Sequence, residues 1–255
     1  MRPFWLLLFL FTYTVNFAQT EENLVAYFSF DDCTELGAEA RGDTLQDGIL
    51  RGEPECDCGV FGDDGSLRLD GQDDRINFIG PLIREFNIID FSVSFYFKPF
   101  SSVGTQDLIS KIGPSCSAEN AFSVKYQAQP TPRVVALLSE NASKQVELTA
   151  NVNPDACWHH VVVVRQQTEF ILYLNGEQVG LGRTSTRADI ENTAPFSISN
   201  SPCLNSTDVP FRGLIDELRI YNRDLTREEV SELYVRPDMI QNRDTIMVLG
   251  DQVNT

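Results

Sequence analysis

The chain has 255 residues, enough for one all-β domain of about 200–250 residues and short of two average domains. Hydrophobic residues make up 42% and charged residues 22%, a globular composition that excludes a disordered or collagen-like chain. With 20 basic against 37 acidic residues, the formal net charge of -17 argues against a general cationic face for nucleic acid or anionic membrane. Such a balance suits solvation, or sites for hard cations.

In chain order, Arg2 precedes an almost purely apolar run over 4–11 that fades through Thr12, Tyr13 and Thr14. Val15-Asn16-Phe17-Ala18-Gln19 then offers a cleavage region. This predicts a secretory signal over 1–18, too short for a dependable membrane span, and an exported chain without membrane insertion. All six cysteines follow it: Cys33, Cys56, Cys58, Cys116, Cys157 and Cys203. An even count in an exported protein predicts up to three disulfides, and we expect Cys33 to join Cys56 or Cys58.

Val25-Ala26-Tyr27-Phe28-Ser29-Phe30 is the first strand candidate, and 31–64 reads as a polar, glycine-rich loop. Short strands follow at 66–69 and 75–79. Phe91-Ser92-Val93-Ser94-Phe95-Tyr96-Phe97-Lys98 alternates with a period of two, as a half-buried strand does. Further strands are expected at 107–111, 120–126, 133–139 and 145–149. The β-branched run over 160–165 suits a central strand covered on both faces. Strands at 170–174 and 177–181 flank Asn175-Gly176, a type I′ hairpin signal. Strands at 195–199 and 212–221 complete the set. About a dozen short strands divided by turn residues predict a sandwich or barrel and exclude a parallel α/β fold.

One helix stands out. Thr226 and Glu229 form a capping box, Leu225 and Val230 a hydrophobic staple, and Pro237 ends it. This short helix is expected to dock on an open edge or end of the sandwich. After a domain over 22–236, residues 245–249 read as one more strand. Residues 237–255 are therefore expected to be a linker or the start of a following β module in a larger multidomain chain.

The order of these features resembles the laminin-G-like jelly roll of the concanavalin A-like lectin/glucanase fold. Five stretches carry the resemblance. They are Ala26-Tyr27-Phe28-Ser29-Phe30-Asp31, the segment from Ser66 to Ile76 around Asp70-Gly71, and the strand from Phe91 to Phe97. The fourth is Trp158-His159-His160-Val161 with Leu172-Tyr173-Leu174-Asn175-Gly176. The fifth is Phe211-Arg212-Gly213-Leu214-Ile215-Asp216-Glu217-Leu218-Arg219-Ile220-Tyr221. The layout also resembles that of secreted multidomain proteins of Bacteroidetes. The resemblance implies an all-β, two-sheet antiparallel jelly-roll sandwich with one short C-terminal helix. It implies a structural calcium site where the first and last strands meet, with Asp31, Asp216 and a backbone oxygen at or near Gly71 as ligands. It does not name one partner, because fold does not decide function.

The residues themselves give little support to catalysis. A retaining glycosidase needs two carboxylates about 5–5.5 Å apart, and related glucanases interleave them on one strand face. Asp216 and Glu217 are adjacent and expected to face opposite ways. Glu228, Glu229 and Glu232 lie on the helix, expected on its solvent side. His159 and His160 are the only histidines, expected near the sandwich surface and too few for a zinc site. Tyr96 and Tyr173 are candidate aromatic platforms, and the loops 115–120 and 200–208 candidate rims. Asn141 and Asn205 begin glycan-acceptor triplets. The chain therefore reads as a non-catalytic, secreted or cell-surface recognition or adhesion module, with a glycan or an extracellular protein as partner. The alternative is a structural spacer or protein-contact module; a divergent glycoside hydrolase ranks third.

Overall fold

The computed structural model describes residues 22–31, 48–61, 65–78, 86–153, 157–204 and 206–235. The expected signal segment, Cys33, and the segment 237–255 lie outside the described residues.

Sixteen strands and one helix are seen among them. In chain order they are β1 (Leu24–Phe28), β2 (Gly48–Arg51), β3 (Glu55–Cys58), β4 (Gly65–Asp70), β5 (Arg75–Phe78), β6 (Phe91–Pro99), β7 (Thr105–Lys111) and β8 (Ala121–Gln127). Then come β9 (Arg133–Asn141), β10 (Lys144–Asn151), β11 (His159–Gln166), β12 (Glu169–Leu174), β13 (Glu177–Arg183), β14 (Phe196–Ile198), β15 (Val209–Pro210), β16 (Arg212–Tyr221) and α1 (Arg227–Tyr234). They form two sheets, in the strand orders β13-β12-β11-β6-β16-β4-β3 and β10-β9-β8-β7-β14-β5-β2. β1 adds to β16 in the first sheet and β15 to β7 in the second. All pairings are antiparallel except the two-residue β15–β7 contact. The fold is thus the expected jelly-roll sandwich.

The main core lies between the sheets. Phe91, Val93, Phe95 and Phe97 of β6 meet Phe122, Val124 and Tyr126 of β8 there. Phe rings fill this space by tilted contacts, Phe28–Phe78 at 4.6 Å and Phe86–Phe91 at 4.9 Å, and by stacking, Phe86–Phe196 at 5.1 Å between centroids. Offset and tilted rings are the arrangements their quadrupoles favour, which suits a chain with 17 Phe.

β6 is buried on both faces, not on one as its alternation predicts, because a second layer covers its outward residues. That layer is α1. Its Val230, with Leu225, packs on Val162 and Val164 of β11, Ile171 and Tyr173 of β12, and Tyr221 of β16. The helix therefore docks on the outer face of the first sheet rather than on an edge. The continuous apolar run of β11, between β12 and β6, is covered on both faces as expected. The cap forms as its sequence dictates: Thr226 Oγ1 accepts from the Glu229 amide at 3.2 Å, and Glu229 Oε2 accepts from the Thr226 amide at 2.8 Å. Glu229 is buried, not solvent-facing, because the Arg223 guanidinium grips it with two bonds of 2.8 and 2.7 Å.

β2 and β3 arise within the segment read as loop. Both are four-residue strands at sheet edges, largely exposed, so no apolar alternation marks them. At the opposite side of the sandwich, β13 and β10 come together. A Cβ on Gly182 would lie 2.2 Å from Val146 Cγ1, so only glycine permits this approach.

Cys116 is bonded to Cys203, joining the two loops expected to rim a site. Cys56 is also disulfide-bonded. Cys58 and Cys157 are free and exposed, so the bridges fall short of the upper limit of three. Cys58 ends β3, whereas Cys157 leads into β11, with β4, β16 and β6 between them. At about 4.8 Å per strand, that separation exceeds the ~4.4–6.8 Å Cα span of a disulfide.

Candidate functional site

β16 pairs with β4 over Arg212–Ile215 and with β1 over Leu218–Tyr221. Asp216 and Glu217 fall at the hand-over, where the register with β6 also shifts. Ile215 and Leu218 both point into the main core, so the two residues between them share the outer face. This is a β-bulge, with Glu217 held at φ 55°. It overturns the expectation that the two carboxylates face opposite ways. A non-glycine residue there costs about 1–2 kcal/mol, and such strain persists only where the surroundings impose it. The Tyr27 hydroxyl donates to Glu217 Oε1 at 2.8 Å and Arg219 Nη1 stands 2.6 Å from Oε2, so both oxygens of Glu217 are engaged.

Asp216 is different. It is buried, its Oδ2 accepts from the Val60 amide at 2.8 Å, and its Oδ1 has no partner. Burial lifts its pKa to about 8; the Val60 bond opposes this, while Glu217 and Asp31 add to the lift. Asp31 lies close by: its Oδ1 accepts from the Gly65 amide at 3.1 Å. A Cβ on Gly65 would come within 2.9 Å of the Phe30 and Asp31 carbonyl oxygens, so β4 starts hard against the end of β1. One orphaned carboxylate oxygen, a second acid and clustered carbonyls make a donor set of the kind calcium takes. The structure places Asp31 near Asp216 and Gly71 away from both. Gly71 follows the far end of β4, about 16 Å from the Asp216 level at ~3.3 Å per residue. Val60 and Gly65 were missed, although Gly65 directly precedes the Ser66 strand.

Gly71 belongs to a second site. Oxygens of Asp70, Asp73 and Asp74 lie within 4.8 Å of one another, a group able to hold a metal ion. Asp74 is buried and already accepts from the Glu53 amide at 2.9 Å and the Asp70 amide at 2.8 Å. Asp70 accepts from the Gln72 amide and side chain at 2.7 and 3.0 Å. These bonds fix Asp70 within its own turn and tie Asp74 to that turn and to the β2–β3 connection. Beside them runs a groove of about 940 Å³, walled by Glu53, Arg68, Asp70, Gln72, Phe100 and Arg212 among others. Sequence patterning gives no sign of it, because its walls come from four separate segments.

Several titratable groups elsewhere are buried. Both histidines are buried, not near the surface. His160 stacks on Tyr96 at 4.5 Å and its Nε2 lies 2.9 Å from Ser94 Oγ, but its Nδ1 has no partner. Burial lowers its pKa to about 3, so this serine–histidine pair has neither the base strength nor the third member of a triad. Tyr96 donates to the Leu233 and Tyr234 carbonyls beneath α1, and Tyr173 is buried there too; neither is a platform. In the second sheet, Asp107 Oδ2 accepts from Ser110 Oγ at 3.1 Å and the Ser201 amide at 2.9 Å. Lys125 lies opposite on β8 and is paired with Asp208 at 2.7 Å. Burial raises Asp107 to about 7, with Lys125 lowering and Asp208 raising it.

No helix among the described residues is long and apolar enough to cross a membrane. Domain 4 of the extracellular arabinanase AbnA from Geobacillus stearothermophilus, in complex with arabinotriose, is similar in structure. It has a TM-score of 0.60 and 22% identity, covering 83% of this chain and 98% of that one. A botulinum neurotoxin type C structure, in work on entry through two ganglioside molecules, has a TM-score of 0.64 and 15% identity, with 85% of this chain and 52% of that one covered. The binding domain of Paraclostridial Mosquitocidal Protein 1 has a TM-score of 0.62 and 16% identity, with the same coverage. At these identities the likeness establishes the fold alone. In sequence, the Adhesion G-protein coupled receptor V1 of Danio rerio is 24% identical over 102 residues, 39% of this chain and 2% of that protein's length. The family model of the Concanavalin A-like lectin/glucanases superfamily matches residues 70–231, well over half of the chain. With its two-sheet topology, capped helix and bulged closing strand, the chain belongs to the concanavalin A-like lectin/glucanases superfamily.

Proposed function

We propose that this chain is a non-catalytic extracellular recognition module whose ligand class is carbohydrate. The observation that carries this reading is the groove beside β4. It offers hydrogen-bond donors, acceptors and an exposed ring, with Asp70 and Asp74 fixed by backbone amides. Ligand sites combine apolar contact with a few placed polar groups in this way. The arabinotriose of the similar arabinanase domain supports a sugar, since that domain matches almost end to end. The neurotoxin chains lend less, because this chain spans about half of each.

Asp31 and Asp216 are the residues that would hold calcium, together with carbonyl oxygens where β1 meets β4. The ion would neutralise a buried charge and fasten the two strands; it has no part in a reaction. Export and membership of a larger multidomain chain belong to the same reading. A protein-contact role is the second reading, favoured by the similarity to an adhesion receptor. Incubation with neutral and acidic polysaccharides, scored separately for binding and for reducing-end release, tests the proposal. Saturable binding without release is expected; repeated release of reducing ends would overturn it.

A further inference from the structure

The groove is lined by an aromatic ring, guanidiniums and carboxylates from four segments. At ~940 Å³ it reaches the upper end of the ~300–1,000 Å³ typical of small-molecule sites, more than one sugar ring needs. Phe100 stands at its rim, 42% exposed although its ring is large and apolar. It is held there by a bond from its amide to the Arg212 carbonyl at 2.9 Å. The Lys98 ammonium stands 5.9 Å from the centroid of its ring.

Arg212 faces Asp70 across the β16–β4 ladder yet makes no ion pair among the described residues. Asp70 is turned away, occupied by Gln72. The guanidinium is therefore an unspent fork of donors in the groove, its stem packed against Gly71. The other guanidinium, Arg68, is shared between Glu55 and Asp57 at 3.7 and 3.6 Å. Five carboxylates and two guanidiniums line the groove, so its potential is negative.

We propose that this groove binds a neutral oligosaccharide along its length, with Phe100 as the stacking platform and Arg212 as the residue that grips its hydroxyl groups. The inference rests on the recognition reading and deepens it: the ligand is a chain of several uncharged sugars, neither a single terminal sugar nor a uronate polymer. Sugars present an apolar face to an aromatic ring and paired hydroxyls to a planar fork of donors, which matches Phe100 and Arg212.

The test is calorimetric titration of the protein with neutral arabino-, xylo- and gluco-oligosaccharides, from monosaccharide to hexasaccharide, and with oligogalacturonates. Affinity for a neutral series is expected to rise with length and then level off, with oligogalacturonates at least about tenfold weaker. Phe100→Ala and Arg212→Met should each weaken binding by about tenfold, with unchanged melting curves. Arg212→Met keeps the stem on Gly71, and Phe100→Trp should retain binding. Glycan binding that both substitutions leave intact, equal affinity for monosaccharide and hexasaccharide, or preference for oligogalacturonates would overturn the inference while leaving glycan recognition standing. Binding to no sugar in any series would overturn both.

Discussion

The Val60 amide donates to Oδ2 of Asp216 at 2.8 Å, and among the described residues no donor meets the other oxygen of that buried carboxylate in hydrogen-bond geometry. A carboxyl so placed holds its proton in the fold and loses it in the unfolded chain. Its pKa rises from 3.8 to about 8, and that of Asp107 from 3.8 to about 7. The resulting stability is fully present below the unfolded value of 3.8 and is lost as pH rises through the folded values. His160, held at about 3 against 6.5, acts oppositely, costing stability as pH falls below 6.5. Lys111, lowered to about 8, reverses the slope above that pH. Between pH 6.5 and 8 the carboxyls act alone. The melting temperature in chelator is expected to fall across this window, and Asp216→Asn should flatten most of the fall.

Calcium should reverse that trend. The ion competes with the proton on Asp216, so its stabilisation is expected to be larger at pH 8 than at pH 6. A site saturated at a hundred times its dissociation constant adds about 2.7 kcal/mol. Asp31→Asn and Asp216→Asn should each blunt the rise in melting temperature, and Asp224→Asn should not. Asp224 instead accepts from Gln166 at 2.7 Å on the exposed surface. If Asp73→Asn removes the response and Asp216→Asn spares it, the ion belongs to the Asp70–Asp74 turn.

The bond between Cys116 and Cys203 spans 87 residues of sequence and ties the 200–208 loop to the loop before β8. Cys203→Ser is expected to cost about 2–5 kcal/mol in chemical denaturation. Mass spectrometry after alkylation without reduction should find Cys58 and Cys157 labelled and Cys116 and Cys203 unlabelled.

Thr226→Ala removes one half of the capping box and should cost about 1 kcal/mol. Because α1 covers Val162, Val164 and Tyr173, its loosening should also expose the outer face of the first sheet. Faster hydrogen exchange in β11 and β12 than in β8 and β9 would register that.

Local signals announced the parts of this fold that local chemistry decides. Asn175-Gly176 forms its turn with φ of 52° and 79°, and Thr226 caps as its neighbours require. The β11 run, too apolar for one face, foretold a second layer without saying what supplied it. Long-range geometry stayed hidden. Nothing near Asp216 indicates that β4 begins and β1 ends opposite it, which is what frees the bulge. Gly71 was placed by its motif, and the motif does not say which end of β4 meets Asp31. Phe100 reads as the tail of a strand, because its exposure depends on Arg212, more than a hundred residues away.

The glycine seam between β13 and β10 has a consequence for how the molecule behaves in company. Edge strands offer unpaired amides and carbonyls to any chain that approaches. Here an edge of each sheet crowds the other, with Gly180 and Gly182 against Leu148 and Val146, so an incoming strand finds little room. Val179 and Leu181 still face outward on β13. The two glycines thus set β10 against an edge that would otherwise stand open to a foreign strand.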